Sequence, residues 1–236
     1  MNLKKIPMQT TTIMVYLFCY VTFFLFSWIS KINNSQRLIN DEGIFTSNPR
    51  NLIGFHIMGI IWIGIIPIVL LKHSIWKVLI GNEILDRSFV FLYILIFILI
   101  LTIVFKQSKY ASQKTQEPFK STVHLSSPFF ISYFIVRVLF LFVYELWFRG
   151  FLLFDSIGWV GINAAVTGNV FLYVLLHIFN SKKEMLACIP FGILVCFLSI
   201  LFNAAWPAII LHIGVSLVYE LTIYRSYLYP SKIARL

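Results

Sequence analysis

Seven long apolar runs limit what this chain can fold into. Each is close to the ~20 residues that a helix needs to cross the hydrocarbon of a bilayer. Continuous runs, rather than alternating apolar and polar residues, indicate helices and not a membrane barrel. We therefore predict an all-α fold, a polytopic transmembrane helix bundle of about seven spans. The runs cover residues 11–30, 52–71, 88–105, 128–154, 158–179, 185–202 and 204–227.

The composition supports a membrane environment. Of the 236 residues, 59% are hydrophobic and 12% are charged, whereas about a quarter of a soluble domain is charged. The net charge of +10 lies mostly in the predicted loops, where the positive-inside rule concentrates basic residues. No basic patch is interleaved with aromatic residues on a polar segment, so we expect no nucleic-acid partner. The expected partners are the lipid bilayer and a membrane-associated protein or peptide substrate.

The polar connections predict the organisation of the chain. The longest of them, residues 106–127, divides an N-terminal three-helix membrane region (residues 1–125) from a C-terminal four-helix core (residues 126–236). With seven spans, five Lys or Arg residues fall on the face that holds the N-terminus and twelve on the other. The basic face is expected in the cytoplasm. We predict an integral membrane protein in a plasma membrane of bacterial type, with its N-terminus outside and its C-terminus cytoplasmic.

The fourth span carries charged residues, which are energetically costly in the hydrocarbon of a bilayer. It contains Arg137, Glu145 and Arg149, whereas the first three spans contain only His56. Glu145 and Arg149 are four residues apart, so they share a helix face and can pair. A structural ion pair that fixes helix packing is the alternative to a functional role. Ionisable groups in spans are usually functional, and this half of the chain holds several.

Two histidines lie in other spans of the same half. His177 follows Tyr173 by one helical turn near the end of the fifth span, where a membrane-end histidine beside an aromatic-belt tyrosine is the alternative reading. His212, Ser216 and Glu220 follow one stripe of the seventh span. A carboxylate with a histidine can activate water, and a second histidine can stabilise an oxyanion. No metal-ligand spacing such as HExxH is present, so we expect neither a metal nor a cofactor.

Three motifs in this order resemble those of a known family. They read Tyr144-Glu-Leu-Trp-Phe-Arg149-Gly, Tyr173-Val-Leu-Leu-His177 and His212-Ile-Gly-Val-Ser216. They are similar to the E-E-x-x-x-R, F-x-x-x-H and H-x-x-x-N motifs of the CAAX-protease and bacteriocin-processing (CPBP, or Abi) family of intramembrane glutamic endopeptidases. The resemblance covers roughly residues 125–228. It implies peptide hydrolysis in which Glu145, His177 and His212 are catalytic and Tyr144, Arg149, Tyr173 and Ser216 support them.

The motifs also depart from the family. The family's first glutamate and its F-x-x-x-H histidine are thought to activate water, yet position 144 is tyrosine, a poor base with its usual pKa of about 10. Glu145 points about 100° away from that position and cannot simply replace it. Ser216 stands for the asparagine that is thought to help the last histidine to hold the oxyanion. One hypothesis is that the charge of Arg137 lowers the pKa of the Tyr144 phenol. Another is that Glu220 supplies the carboxylate that is missing at position 144.

Three functions follow from these observations. The first is an intramembrane endopeptidase that cleaves a membrane-associated, prenylated or leader peptide. The second is a catalytically degenerate relative that binds a peptide or partner, as an immunity or scaffold protein would. The third is a transporter or proton relay, which ranks last because no repeated, broken helices are present. The predicted helix ends do not bring the three proposed catalytic residues to one level in the membrane. Counted from those ends, Glu145, His177 and His212 differ in depth by on the order of 15 Å.

Overall fold

The structure is a computed structural model that describes residues 10–33, 36–39, 46, 48–72, 74–81, 87–114, 126–179 and 181–228. Within these residues every regular element is a helix, which confirms the predicted all-α bundle. Two π-helical segments, Ile60–Ile65 and Leu146–Leu152, join α2 to α3 and α6 to α7. The α-helices are α1 (Thr10–Ile32), α2 (Pro49–Gly59), α3 (Ile66–Leu71), α4 (Ile75–Ile80), α5 (Arg87–Lys114), α6 (Ser127–Glu145), α7 (Leu153–Val160), α8 (Ile162–Leu176), α9 (Lys182–Phe202) and α10 (Trp206–Leu228).

Six helices of the described chain are long and apolar enough to cross a membrane, where seven spans were predicted. The fifth predicted span is α8, a helix of 15 residues, about 22 Å long, which is less than the ~30 Å hydrocarbon thickness. The protein is an integral membrane protein. The predicted orientation of its termini and the division at residue 125 stay predictions. The spanning helices are Thr10–Ile32, Pro49–Leu71, Arg87–Ser112, Ser127–Val160, Lys182–Phe202 and Trp206–Ser226.

Local sequence fixes the ends of the helices around the C-terminal core. The Ser181 hydroxyl caps α9 by accepting a hydrogen bond from the Glu184 backbone N–H at 3.2 Å. The same helix ends at Asn203, whose φ of 48° is the left-handed conformation that stops a helix. Pro207 lies in the first turn of α10, where a missing N–H costs no intrahelical bond. These ends place a tight turn between α9 and α10.

Small residues bring the N-terminal helices against α6. A Cβ built on Gly59 would lie 2.3 Å from the Phe140 ring, and one on Gly64 would lie 2.9 Å from Val143. Membrane helices pack through such contacts because glycine lets two backbones approach closely. The first and second spans are thereby held beside the end of α6. The main buried cluster of the protein, which includes Tyr144, Trp147 and Phe148, lies at this junction.

We predict that Gly59→Ala destabilises the protein. The added methyl group must displace the Phe140 ring in a packed core, and such overpacking costs typically about 1–3 kcal/mol. Thermal unfolding of the purified protein in detergent would show a lower midpoint. The matched control is Gly54→Ala in the same helix, where a Cβ would meet no atom within 4 Å. Equal midpoints for the two variants would contradict this packing account.

Candidate active site

The levels of the helices explain how the three predicted residues meet. Gly150 and Ala205 are neighbours, since a Cβ on Gly150 would lie 3.5 Å from the Cβ of Ala205. The helix that contains α6 and α7 therefore runs ten residues beyond the turn that precedes α10. The expected 15 Å spread in depth is wrong because it assumed that all helices end at one level. Glu145 lies about 7.5 Å along its helix from Gly150, and His212 lies about 10.5 Å along its helix from Ala205. The two residues are therefore at similar depths.

The short helix α8 brings His177 to the same place. The chain advances by the same number of residues on either side of the turn at Gly161. There are 15 from Glu145 to Val160 and 15 from Ile162 to His177. Both distances are about 22 Å of helix, so the end of α8 lies beside the end of α6. Gly161, with φ of 83°, forms the turn between them. A helix too short to cross the bilayer is thus the right length to place a histidine inside it.

A buried ion cluster joins α6, the second π-helical segment and α10. Glu145 and Arg149 are both fully buried. The Glu145 Oε1 atom lies 2.5 Å from His212 Nδ1, and its Oε2 atom lies 3.3 Å from Arg149 Nη1. The guanidinium also lies over the Tyr173 ring, 4.3 Å from its centroid. Since a carboxylate only accepts hydrogen bonds, the Nδ1 atom of His212 carries a proton and the orientation of this ring is fixed.

The π-helical segment is supported by a residue that the sequence analysis did not single out. Asn169 of α8 is buried and donates a hydrogen bond from Nδ2 to the Phe148 carbonyl at 2.7 Å. A π-helical segment changes the regular pattern of backbone hydrogen bonds, and such segments occur often at functional sites. Asn169 therefore helps to hold the segment that carries Arg149. A polar residue in an apolar helix was its only sequence signal.

We predict that Asn169→Leu lowers the stability of the protein. The substitution leaves a buried carbonyl without its partner, at a cost of about 1–3 kcal/mol. The measurement is the unfolding midpoint of the purified protein in detergent. The control is Asn163→Leu on the same helix, where the side chain is exposed and the midpoint should not fall. An Asn169→Leu midpoint as high as that of this control would contradict the supporting role.

The two histidines share a cavity of about 100 Å³. The His177 Nδ1 atom lies 2.8 Å from the Tyr173 carbonyl. Since a carbonyl only accepts, Nδ1 carries the proton and Nε2 is free to accept one from water. The cavity is lined by Phe23, Ser27, Gln36, Arg37, Phe55, Arg137, Phe140, Leu141, Tyr144, Leu176, His177, Glu184 and His212. Both the N-terminal and the C-terminal region contribute to this wall.

The remaining predicted residues lie at or behind this wall. Tyr144 lines the cavity, is only 4% exposed, and its ring centroid lies 6.1 Å from that of His212. Glu145, Arg149 and Tyr173 do not line it. Ser216 is half-buried one turn along α10 from His212, and it is not on the wall either. The cavity wall therefore includes two histidines and Tyr144, whose hydroxyl oxygen is itself buried, and the ion cluster lies behind one of the histidines.

The two further hypotheses can be compared with the geometry. Arg137 lines the cavity, but its Nε donates to Glu220 Oε1 at 3.2 Å and its Nη1 lies 3.2 Å from His56 Nε2. The other Glu220 oxygen accepts a hydrogen bond from the Tyr133 hydroxyl at 3.0 Å. This second polar network links α2, α6 and α10. Glu220 is not on the cavity wall, and the contacts of Arg137 are with this network.

The sequence analysis missed Arg37 and Glu184, which also line the cavity. The Arg37 Nη2 atom lies 2.5 Å from Glu184 Oε2, so the pair links the residues before α2 to the first turn of α9. Both residues lie in polar segments of the sequence, where a solvated charge is the usual expectation. The only sequence signal was Ser-x-x-Glu at residues 181–184, a pattern typical of a helix start.

The described residues offer few sites for a metal. No three of their His, Cys, Asp and Glu side chains come together in a way that could hold an ion. The cysteines Cys19, Cys188 and Cys196 are all buried and free, as expected for packing residues in membrane helices.

Fold and site together define a polytopic helical membrane protein with two histidines on the wall of one cavity. Residues 126–218 match the family model described as type II CAAX prenyl endopeptidase Rce1-like. This match bears out the resemblance to the CPBP family that the three motifs indicated, over the C-terminal part of the chain. It begins just before α6 and includes Glu145, His177, His212 and Ser216. No curated protein and no solved structure matches significantly.

Proposed function

We propose that the protein is an intramembrane endopeptidase of the CAAX-protease type. Its substrate would be a membrane-associated, prenylated or leader peptide. The observation that carries the proposal is the cavity of about 100 Å³ whose wall includes His177 and His212, from two different helices. The family match is consistent with such an activity. A cavity of this size has room for a few water molecules.

Each histidine has a distinct role in this proposal. His177 donates from Nδ1 to the Tyr173 carbonyl, so its Nε2 accepts a proton from the attacking water. His212 donates from Nδ1 to Glu145, and in this proposal its ring carries a second proton on Nε2. The Nε2–H of that ring then donates to the oxyanion. Glu145 acts through His212 as a positioning residue, and Arg149 holds Glu145.

The proposal is tested with purified protein reconstituted into liposomes. Farnesylated and unmodified membrane peptides would be incubated with wild type or with His177→Ala, and the products identified by mass spectrometry. We expect new peptide termini with the wild type alone. Intact peptides in both samples, with folded protein and a substrate set that includes leader-type peptides, would contradict the proposal.

A binding protein is the second candidate, and one observation favours it. Position 144, where the family has a glutamate, presents an aromatic ring to the cavity, and the adjacent Glu145 is not on the wall. In this alternative the wild type binds peptides in the cavity without cutting them. Tyr144→Glu distinguishes the two candidates. Cleavage that appears only after this substitution would identify a degenerate relative, whereas cleavage by the wild type would support the enzyme.

A further inference from the structure

Arg137 presents a guanidinium to the cavity, away from the level of the ion cluster. Its side chain is 20% exposed and lies on the cavity wall, whereas its counterion Glu220 does not line the cavity. Charged groups within membrane spans are rare and usually mark the path of a substrate or an ion. A purely structural ion pair does not require its arginine to face a cavity. The proposed roles of the two histidines leave this cation without a function.

Three side chains behind the wall hold the guanidinium in one orientation. The Arg137 Nε atom donates to Glu220 Oε1 at 3.2 Å, and the Tyr133 hydroxyl donates to the other Glu220 oxygen at 3.0 Å. The His56 Nδ1 atom lies 2.7 Å from the Leu52 carbonyl and therefore carries the proton of that ring. His56 Nε2 is then an acceptor for Arg137 Nη1, at 3.2 Å. These contacts fix the plane of the guanidinium.

The Nη2 atom of Arg137 is the nitrogen that remains for a ligand. It has no hydrogen-bond partner in the described part of the chain, and it is not one of the fully buried polar atoms. Its two N–H groups can only donate. A planar guanidinium matches the geometry of a carboxylate, and hydrogen bonds between two charged groups are the strong ones. The ligand that fits this position best is therefore a carboxylate.

The helices set the distance between this position and the ion cluster. Arg137 precedes Glu145 by eight residues on α6, and Glu220 follows His212 by eight residues on α10. Eight residues are about 12 Å of helix, so the Arg137–Glu220 contact lies that far from the Glu145–His212 contact along the same two helices. An extended peptide covers 12 Å in about three to four residues.

We propose that Arg137 binds a carboxylate of the substrate, about three to four residues from the bond that is cleaved at the histidines. This inference rests on the proposed endopeptidase function. The carboxylate belongs either to the C-terminus of the peptide or to an Asp or Glu side chain, since both offer the same chemistry. His56, Tyr133 and Glu220 are positioning residues, because they orient the guanidinium from outside the cavity wall.

The test compares charged and neutral forms of the peptides used in the liposome assay. One series consists of each peptide as the free acid and as the C-terminal amide. A second series is amidated throughout and carries Asp or Asn at successive positions. KM is measured with the wild type, and affinity with His177→Ala, so that no peptide is consumed. In the series that supplies the carboxylate, we expect the charged form to bind about 10–100-fold more tightly, as for a hydrogen bond to a charged group.

A double substitution assigns this preference to Arg137. Arg137→Gln with Glu220→Gln removes both charges and leaves no uncompensated partner, unlike either substitution alone. We expect charged and neutral peptides to bind this variant equally. The control is Arg37→Gln, which removes the other arginine of the same wall, one that already pairs with Glu184. This variant should keep the wild-type preference.

The outcomes separate this inference from the proposed function. If the wild type cleaves peptides but charged and neutral forms bind equally, the inference is overturned and the endopeptidase stands. A preference that survives the double substitution, or that is lost with Arg37→Gln, also overturns it. If charged forms bind preferentially and nothing is cleaved, the carboxylate-binding role of Arg137 stands in a protein that only binds. Should the double variant fail to fold, equal binding of the two forms by the wild type would still overturn the inference.

Discussion

Glu145→Ala is expected to destabilise the protein by about 3–5 kcal/mol, the cost of leaving one partner of a buried pair uncompensated. Arg149 is fully buried, and Glu145 is its counterion at 3.3 Å. Without the carboxylate, the guanidinium loses its counterion and retains uncharged neighbours such as the Tyr173 ring. The yield of folded protein and its unfolding midpoint in detergent would both fall sharply.

A double substitution separates the stability of the pair from its role in the site. Glu145→Leu with Arg149→Met replaces both charges with apolar side chains, which is often neutral or stabilising for a buried pair. We expect this variant to recover most of the midpoint and still lack peptidase activity, because His212 has lost the acceptor for its Nδ1–H. Wild-type activity in the double variant would contradict the positioning role of Glu145.

His177→Ala is expected to reduce kcat by about 10²–10⁴-fold, the usual contribution of a general base. Within the described part of the chain, the hydrogen bond of the His177 ring is the one to the Tyr173 carbonyl. Its loss should therefore affect the unfolding midpoint less than the loss of Glu145. The measurement is the rate of peptide cleavage in liposomes at saturating substrate, with the midpoint determined on the same preparation.

The adjacent residue supplies the control for this prediction. Ile178 is 51% exposed in the same turn and does not line the cavity. Ile178→Ala should keep both rate and midpoint near the wild-type values. If His177→Ala retained the wild-type rate, the base would have to be another group on the wall, and Glu184 would be the next candidate.

The helical spacing of single residues carried much of the sequence-based prediction. Glu145 and Arg149 are four residues apart and form an ion pair, because a helix places such residues on one face. Tyr173 and His177 are linked for the same reason, through a backbone carbonyl. The order of the motifs also indicated that His212 belongs to the same cluster as Glu145. Local periodicity determines each of these relations.

Relations between helices were beyond the sequence. The depth of His177 depends on two lengths. The helix α8 has only 15 residues, and the helix of residues 127–160 extends past the first residue of α10. No local pattern records how far one helix extends beyond its neighbour. Arg37 and Glu184 reach the cavity only through tertiary packing of two polar segments.

The most direct test of the central claim, that this cavity cuts peptides, is a comparison of membrane-protein termini in cells. Cells would express wild type or His177→Ala at equal levels, and new termini would be identified by mass spectrometry. The account predicts termini that appear only with the wild type, and these would name the substrate. Identical termini in the two samples, with both proteins folded in the membrane, would contradict the account and favour the binding protein.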